Sequence, residues 1–478
     1  MATPIPANAC RFSLDEVLRA TSATLSGNRQ AVFEGVTTDS RGDVRGKLFI
    51  ALEGENFDGH RFAADAVRAG ARGVLSSRDV SVSGDASLLR VPSTLDALGA
   101  LARAHRRRWQ GQLIAVAGSA GKTTTKSAIG AVLAACAPGA VHVTPGNLNN
   151  RVGVPHVLFG LMPEHRFAVI EVGTNQTGEV RELAGVCEAD LGVLTLIALE
   201  HTAGLGNLDA IELEEGSLLE QLGSEALAIA NADDARCARQ LARSSAATKL
   251  SYGNAPNADY RISARTPLGA DRSRVSITPR GRAPFVVETA LLGDAGALAL
   301  SAALAVAERA LGRNLDASLF AEVCARLPIG EPGRLCPVTL KDGTIVLDDT
   351  YNANPASVKS SLTAAWEVAE GLGARLVLVL GEMRELGAES QRLHREAGDL
   401  AADSRAAALI AVGGDARFMA EAAVARGVSA EFAEDAEAAL QITLARVQPG
   451  DVVLVKASRG VRAERVVDGL LANKGRAA

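Results

Sequence analysis

Leu113-Ile114-Ala115-Val116-Ala117-Gly118-Ser119-Ala120-Gly121-Lys122-Thr123-Thr124-Thr125-Lys126 is the stretch that decides how the rest of this chain folds. An apolar run long enough for one buried strand breaks at Gly118, and good helix formers resume directly behind Thr123. Glycine lets the backbone curl, so the amides of Gly118, Ser119, Ala120 and Gly121, with the helix start at Lys122, Thr123 and Thr124, face one anion. Lys122 adds a mobile positive charge for terminal phosphates, and the Thr123 hydroxyl is placed to ligate magnesium. A full eight-residue motif would put glycine at position 116, where Val116 stands, so the short form of the motif is the one present. A bare strand-to-helix turn requires the glycines but not a lysine followed by a threonine. The stretch therefore reads as a phosphate loop.

On the C-terminal side, strand candidates recur at 113–117, 167–172, 191–198 and 226–230, with helical stretches between them. That alternation predicts a mostly parallel sheet covered on both faces, in a domain running from about 111 to 329. The four strands lead into the phosphate loop, Glu171, Glu200-His201 and Asn231-Ala232-Asp233. Ligands of open parallel sheets sit beyond the carboxyl ends of the strands, so these groups are expected at one crevice. From 249 to about 292 the alternating, turn-rich texture predicts an antiparallel excursion.

Residues 1–110 read as a smaller α/β unit, with a strand at 47–52 and a helix at 60–69 stopped by Gly70. Two polar loops lie in it, Thr38-Asp39-Ser40-Arg41 and Gly54-Glu55-Asn56-Phe57-Asp58-Gly59-His60; each suits a binding loop or a plain surface loop equally well. A third, Rossmann-like α/β unit spans 330–478, with strand candidates at 344–347, 375–380, 407–412 and 451–455, hinged at Pro328-Ile329-Gly330-Glu331-Pro332. The expected fold class is thus α/β, in three domains around a central phosphate-loop domain.

A chain of 478 residues exceeds what one core organises. Its net charge of -5 is spread along the sequence, which gives no reason to expect nucleic acid or an anionic membrane as partner. The one basic run, Arg106-Arg107-Arg108, is expected to be a solvated helix end. Six scattered cysteines without a CxxC pair suggest neither a disulfide framework nor a zinc site, so a reducing cytoplasm is the expected setting. The N-terminus lacks signal-peptide character, and the most apolar helical run, 128–137, is about half of what a bilayer requires.

Three further features carry chemistry. Glu171 ends an apolar strand, where a buried carboxylate is costly unless paired or metal-bound, so magnesium is a natural partner. His201 follows the next strand; a lone histidine is also readily explained as a satisfied structural residue. Asp348-Asp349-Thr350-Tyr351-Asn352-Ala353-Asn354-Pro355 forms a hydrogen-bonding loop after the first strand of the third domain, where an ordinary Asx-rich turn is the plainer alternative. Nucleotide, magnesium and domains able to close point to an ATP-dependent transferase, ligase or hydrolase.

Together these motifs resemble the Mur ligase superfamily, and within it the branch that adds D-alanyl-D-alanine to UDP-N-acetylmuramoyl-tripeptide. The likeness rests on Thr38 to Arg41, on Gly146-Asn147-Leu148-Asn149-Asn150 with Gly153 and Pro155, and on Asp348 to Pro355. Gly381-Glu382-Met383, Glu385-Leu386-Gly387 and Val455-Lys456-Ala457-Ser458-Arg459 add to it. The resemblance implies a cytoplasmic, monomeric ligase of peptidoglycan synthesis with ATP as co-substrate and two magnesium ions. It implies that Lys122 holds the terminal phosphates, that Thr123 and Glu171 bind one magnesium and His201 a second, and that Arg334, Asp349, Asn352 and Asn354 close on the nucleotide. Asp39, Ser40 and Arg41 would face the uridine end, Asn147, Asn149 and Asn150 the sugar-peptide region, and Ser458 and Arg459 the acceptor.

Several positions depart from the family pattern. Glu215 occupies the place of a lysine that becomes carbamylated, and is expected to supply the negative charge directly. Ala203 stands where this branch has glutamate, Ala295 and Gly296 where it has histidine and asparagine, and Ala117 where it has threonine. Two other functions remain open on the sequence: a degenerate homologue that binds nucleotide or UDP-peptide without turnover, and a folylpolyglutamate-type ligase with another acceptor.

Overall fold

The computed structural model describes residues 5, 6, 8, 10–54, 57–82, 84–327 and 332–477. The hinge expected at 328–332 lies, except for Pro332, outside the described residues, as do Glu55 and Asn56 of the second N-terminal loop.

The central sheet has nine strands. The phosphate-loop strand Gln112–Ala117 lies inside it, parallel to Phe167–Glu171 on one side and to Leu191–Leu194 on the other. Val141–Val143 extends the first side, and Leu227–Asn231, Thr248–Gly253 and Tyr260–Leu268 extend the second, all in parallel register. Only Arg272–Pro279 and Phe285–Thr289 turn antiparallel. The expected excursion therefore begins two strands later than 249, at Arg272, and continues the same sheet. Its strands alternate buried and exposed residues because one face meets helices Gly293–Leu311 and Ala317–Arg326 and the other meets solvent.

In the N-terminal unit the strands run in the order Thr24–Gly27, Ser87–Arg90, Gly73–Ser76, Leu48–Ile50, Val36–Thr37, with only the first pair antiparallel. One apolar cluster is continuous from this unit into the central domain, joining Phe12, Leu98 and Leu101 to Phe159 and Leu183. Arg106-Arg107-Arg108 is a solvated helix end only in part: Arg107 and Arg108 are exposed, as expected, but the first residue is not. Arg106 is buried, donates to the Cys187 carbonyl at 3.1 Å and pairs with Asp190 at 2.8 Å; Arg107 pairs with Glu188. The run pins the connecting helix Thr94–Arg108 to the central domain.

The third domain carries six strands in the order Cys336–Thr339, Ile345–Asp349, Val452–Lys456, Leu376–Gly381, Ala408–Val412, Ala430–Ala433. All neighbours are parallel except the first pair. The four strands expected here are present; the two edge strands, short and partly exposed, carry too weak a pattern to be read. Among the described residues no helix is long and apolar enough to cross a membrane.

Candidate active site at the phosphate loop

The phosphate loop is forced into its shape by its neighbours. Gly118 has φ 130°, and a Cβ there would meet Thr195 Oγ1 at 2.2 Å and the Leu196 backbone at 2.9 Å. Gly121, φ 85°, leads into helix Lys122–Cys136, whose N-terminus faces the loop. Ser119 N donates to the Leu196 carbonyl at 2.7 Å, and the Thr195 hydroxyl to the Ala120 carbonyl at 2.7 Å. The adjacent parallel strand thus braces the loop from behind.

Two acidic clusters lie against it. In the first, Thr123 Oγ1 and Asn149 Nδ2 donate to Glu171 Oε1 at 3.2 and 2.8 Å, while Lys126 Nζ stands 3.4 Å from Oε2. Glu171 is fully buried, and its Oε2 accepts no hydrogen bond from the described residues. In the second, Lys122 Nζ donates to the Gly118 carbonyl and lies 3.8 Å from Glu200 Oε1, and Gly118 N donates to Glu215 Oε2 at 2.7 Å. Burial pushes the Glu200 carboxyl up to about 8 against the pull of Lys122, with Glu215 adding to the rise. Burial also raises Glu215, opposed by Lys122 and by the Gly118 amide. For Lys122, burial works against the charge, but Glu200, Glu215 and Glu171 outweigh it and raise the pKa, so the ammonium persists. Glu200 is a site residue that sequence reasoning noted only as a polar strand end; its burial, not its spacing, marks it.

Among the described residues no group of three or more His, Cys, Asp and Glu forms a metal cage. The Thr123 hydroxyl and Glu171 nonetheless offer the hard oxygen pair that suits a magnesium ion arriving with phosphates, since that ion keeps several waters and takes few protein ligands. His201 is placed differently. Its Nδ1 bonds Glu385 of the third domain, and its Nε2 lies 3.9 Å from Glu200 Oε2.

The third domain meets the loop through the Asp348–Pro355 segment. Asn354 caps helix Pro355–Leu372, accepting from Ser357 N at 2.8 Å, while its Nδ2 donates to the Ser119 carbonyl at 3.3 Å. Asp349 is held by Lys456 at 2.6 Å and by Ser361 at 2.5 Å, and Lys456 also donates to the Asn352 carbonyl at 2.9 Å. Arg334 stacks 3.9 Å from the Tyr351 ring. Arg265 of the central sheet forms two bonds to Glu367, at 2.7 and 2.6 Å, and one to Asp294 at 2.7 Å, bridging the two domains.

Two cavities result. One, of about 490 Å³, is lined by Ser119, Ala120, Gly121, Thr124, Arg334 and Asp349 among others. The second, of about 450 Å³, is lined by Asn147, Glu200, His201, Arg384, Glu385, Ser458 and Arg459. Tyr351, Asn352 and Asn354 line both. Ala295 lines the first cavity; Gly296 has no room for a side chain, since a Cβ would lie 2.8 Å from the Leu291 backbone.

Other expected site residues do not converge here. Asp39, Ser40 and Arg41 line neither cavity; Arg41 Nε and Nη2 bond Asp39 at 2.9 and 2.8 Å, and those bonds hold the Asp39 carboxyl below its usual range. Asn150 Oδ1 accepts from Gly153 N at 2.8 Å and so closes the turn before helix Gly153–Phe159.

A phosphate loop at the carboxyl edge of a parallel sheet, faced by a separate α/β domain across two cavities, defines a multidomain nucleotide-dependent enzyme. Three family descriptions match in succession: the Mur ligase family catalytic domain over 32–106, the Mur ligase middle domain over 116–307 and the Mur ligase glutamate ligase domain over 333–459. The UDP-N-acetylmuramoyl-tripeptide--D-alanyl-D-alanine ligase of Escherichia coli is 33% identical over 92% of this chain and 94% of its own length. A MurF crystal structure from Acinetobacter baumannii superimposes with a TM-score of 0.86 at 27% identity, covering 98% of this chain and 100% of that one. MurF of Thermotoga maritima in complex with ADP gives a TM-score of 0.80 at 26% identity, covering 91% and 96%. The chain belongs to the Mur ligase family and is an ATP-dependent amide ligase.

Proposed function

We propose that this ligase joins D-alanyl-D-alanine to UDP-N-acetylmuramoyl-tripeptide, producing ADP and phosphate, in the cytoplasmic assembly of the peptidoglycan precursor. The observation that carries this reading is the pair of cavities sharing the wall Tyr351, Asn352 and Asn354, one against the phosphate loop and one rich in charged side chains. The near full-length likeness to enzymes of that activity supports it. A carboxylate is a poor electrophile until one of its oxygens becomes part of a phosphate leaving group. The acid's oxygen attacks the terminal phosphorus of ATP and ADP leaves; the amine nitrogen then attacks the acyl carbon, the bond to phosphate breaks and the amine loses a proton.

In this scheme the loop amides and Lys122 orient the terminal phosphate and stabilise the charge that gathers on it. Arg334, Asp349, Asn352 and Asn354 shape the nucleotide cavity from the third domain, and Asp39, Ser40 and Arg41 contact the uridine end. Asn147, Asn149 and Asn150 belong to the sugar-peptide side, and Ser458 and Arg459 to the acceptor side. Magnesium held by Thr123 and Glu171, with a second ion at His201, would neutralise phosphate charge. Glu215 supplies its negative charge as it stands, so activity does not depend on bound carbon dioxide; rescue of a carbon dioxide-stripped preparation by bicarbonate would contradict this. We take 110/111 and 329/330 as the domain limits and the active species as a monomer.

Measuring ADP release with UDP-N-acetylmuramoyl-tripeptide, with and without D-alanyl-D-alanine, tests the assignment. Release that requires both supports it. Release with the acid and a different amine would move the enzyme to another acceptor, and no release at all would make it a binding protein.

A further inference from the structure

The 450 Å³ cavity is lined by side chains of both charges, of which the reading above assigns only Arg459 to the acceptor and His201 to a metal ion. Glu200, His201 and Glu385 line it, and so do Arg384 and Arg459. Arg384 is fixed there: its backbone amide donates to Ser458 Oγ at 2.9 Å, its Nε lies 3.1 Å from Glu382, and its guanidinium lies against Gly460, where an added Cβ would come within 1.9 Å of Nη1. Arg459 lies 5.9 Å from the Tyr351 ring. Glu385 is anchored by the central domain: its carboxylate bonds His201 Nδ1, and its carbonyl accepts from Ala203 N at 3.1 Å. His201 and Glu385 both have positive φ, 47° and 65°, so two strained non-glycine residues meet across the domain boundary. Beside them, Glu200 is buried and its Oε1 accepts no hydrogen bond from the described residues.

A cavity lined by the Glu385 carboxylate and by the Arg384 and Arg459 guanidinium groups is matched to a molecule that carries an ammonium at one end and a carboxylate at the other. We propose that Arg384 and Glu385, adjacent residues of the third domain, read the incoming amine as a zwitterion: Glu385, beside His201, binds its ammonium, and Arg384 with Arg459 binds its carboxylate. The inference rests on the acceptor reading given above and deepens it. Both residues belong to the third domain, while His201 and Glu200 belong to the central one, so the ammonium end is complete only when the two domains meet. A neutral amine or an amino amide would leave one charged wall without a partner, which excludes it by desolvation.

Calorimetric binding to the full chain, saturated with a non-hydrolysable ATP analogue and UDP-N-acetylmuramoyl-tripeptide, separates this from the ligase assignment. The probes are D-alanyl-D-alanine, its C-terminal amide and its N-acetyl derivative. The wild type should bind each neutralised probe about tenfold or more weakly than the zwitterion, the scale of one lost charge-assisted contact. Arg384→Gln should abolish the preference for the acid over the amide, and Gly460→Ala should weaken that preference by pushing the guanidinium aside. Glu385→Gln should abolish the preference for the free amine over the N-acetyl form. KM values for ATP and for the UDP-linked acid should not change in Arg384→Gln or Gly460→Ala. Equal affinity for all three probes, absence of zwitterion binding, or variants that affect ATP as strongly as the dipeptide would overturn the proposal. If the binding pattern holds while no ADP is released, the proposed function fails and the zwitterion pocket stands.

Discussion

The phosphate loop and the Asp39–Arg41 loop are both polar turns after an apolar strand, yet the fold treats them in opposite ways. Around the first, groups from several strands and two domains are interlocked and buried: Thr195, Glu171, Glu215, Glu200 and Asn354 all reach it or its lysine. The second is held by its own bonds, with Arg41 exposed and paired to Asp39. A loop braced from outside keeps its geometry before any ligand arrives, which is what positioning a transferable phosphoryl group requires. A loop that satisfies itself at the surface must exchange those bonds for contacts with its ligand.

The largest effect expected from this contrast is at Lys122. Lys122→Ala should lower turnover by at least about a hundredfold, the scale of one lost preorganised charge contact, in steady-state assays of ADP release. Near-normal turnover would reduce the braced loop to a structural feature. Next comes Asp349, whose carboxylate satisfies buried Lys456. Asp349→Ala strands that ammonium and should cost the third domain about 3 kcal/mol, read as a fall of several degrees in its thermal transition.

A smaller, pH-dependent effect concerns helix Leu208–Glu220, which presents Glu215 to the loop. Glu212 on the same helix is bonded by Arg239, Gln240 and Arg236, and the Arg239 bonds above all, working against the cost of burial, hold its carboxyl near 2, below the usual 4.5. A depressed folded-state pKa stabilises above the unfolded value, so this contribution is complete above about pH 4.5 and is lost as pH falls toward about 2. Acid titrations followed by circular dichroism should show Glu212→Gln flattening that part of the stability curve. The smallest effect is at the exposed loop. Arg41→Ala should leave the thermal midpoint unchanged, because a surface pair contributes little, while raising KM for the UDP-linked substrate alone. A marked loss of stability would erase the distinction between the two loops.

The same contrast explains what the sequence reveals. The phosphate loop is legible because strand, glycines, lysine and threonine are contiguous, and the parallel strands around it are continuous apolar runs. Glu171 is legible as a charge at the end of such a run. Glu200 and Glu385 are not, because their significance comes from burial beside Lys122 and from a contact with His201 across 184 positions of sequence. Arg106 departs from expectation for a related reason: composition shows a basic run, while only the packed structure shows the carbonyls and the Asp190 carboxylate that surround its first member. Asn150 looks like a ligand-binding amide within its motif but spends its oxygen on the next helix turn.

The central claim is that Lys122 and the loop amides deliver the outermost phosphoryl group of ATP to a carboxylate. Supplying UDP-N-acetylmuramoyl-tripeptide with a heavy oxygen isotope in its reacting carboxyl group, together with ATP and D-alanyl-D-alanine, follows that oxygen directly. One labelled oxygen should appear in each inorganic phosphate released, as mass spectrometry would record. Phosphate released without the label, while the amide forms, would contradict the account.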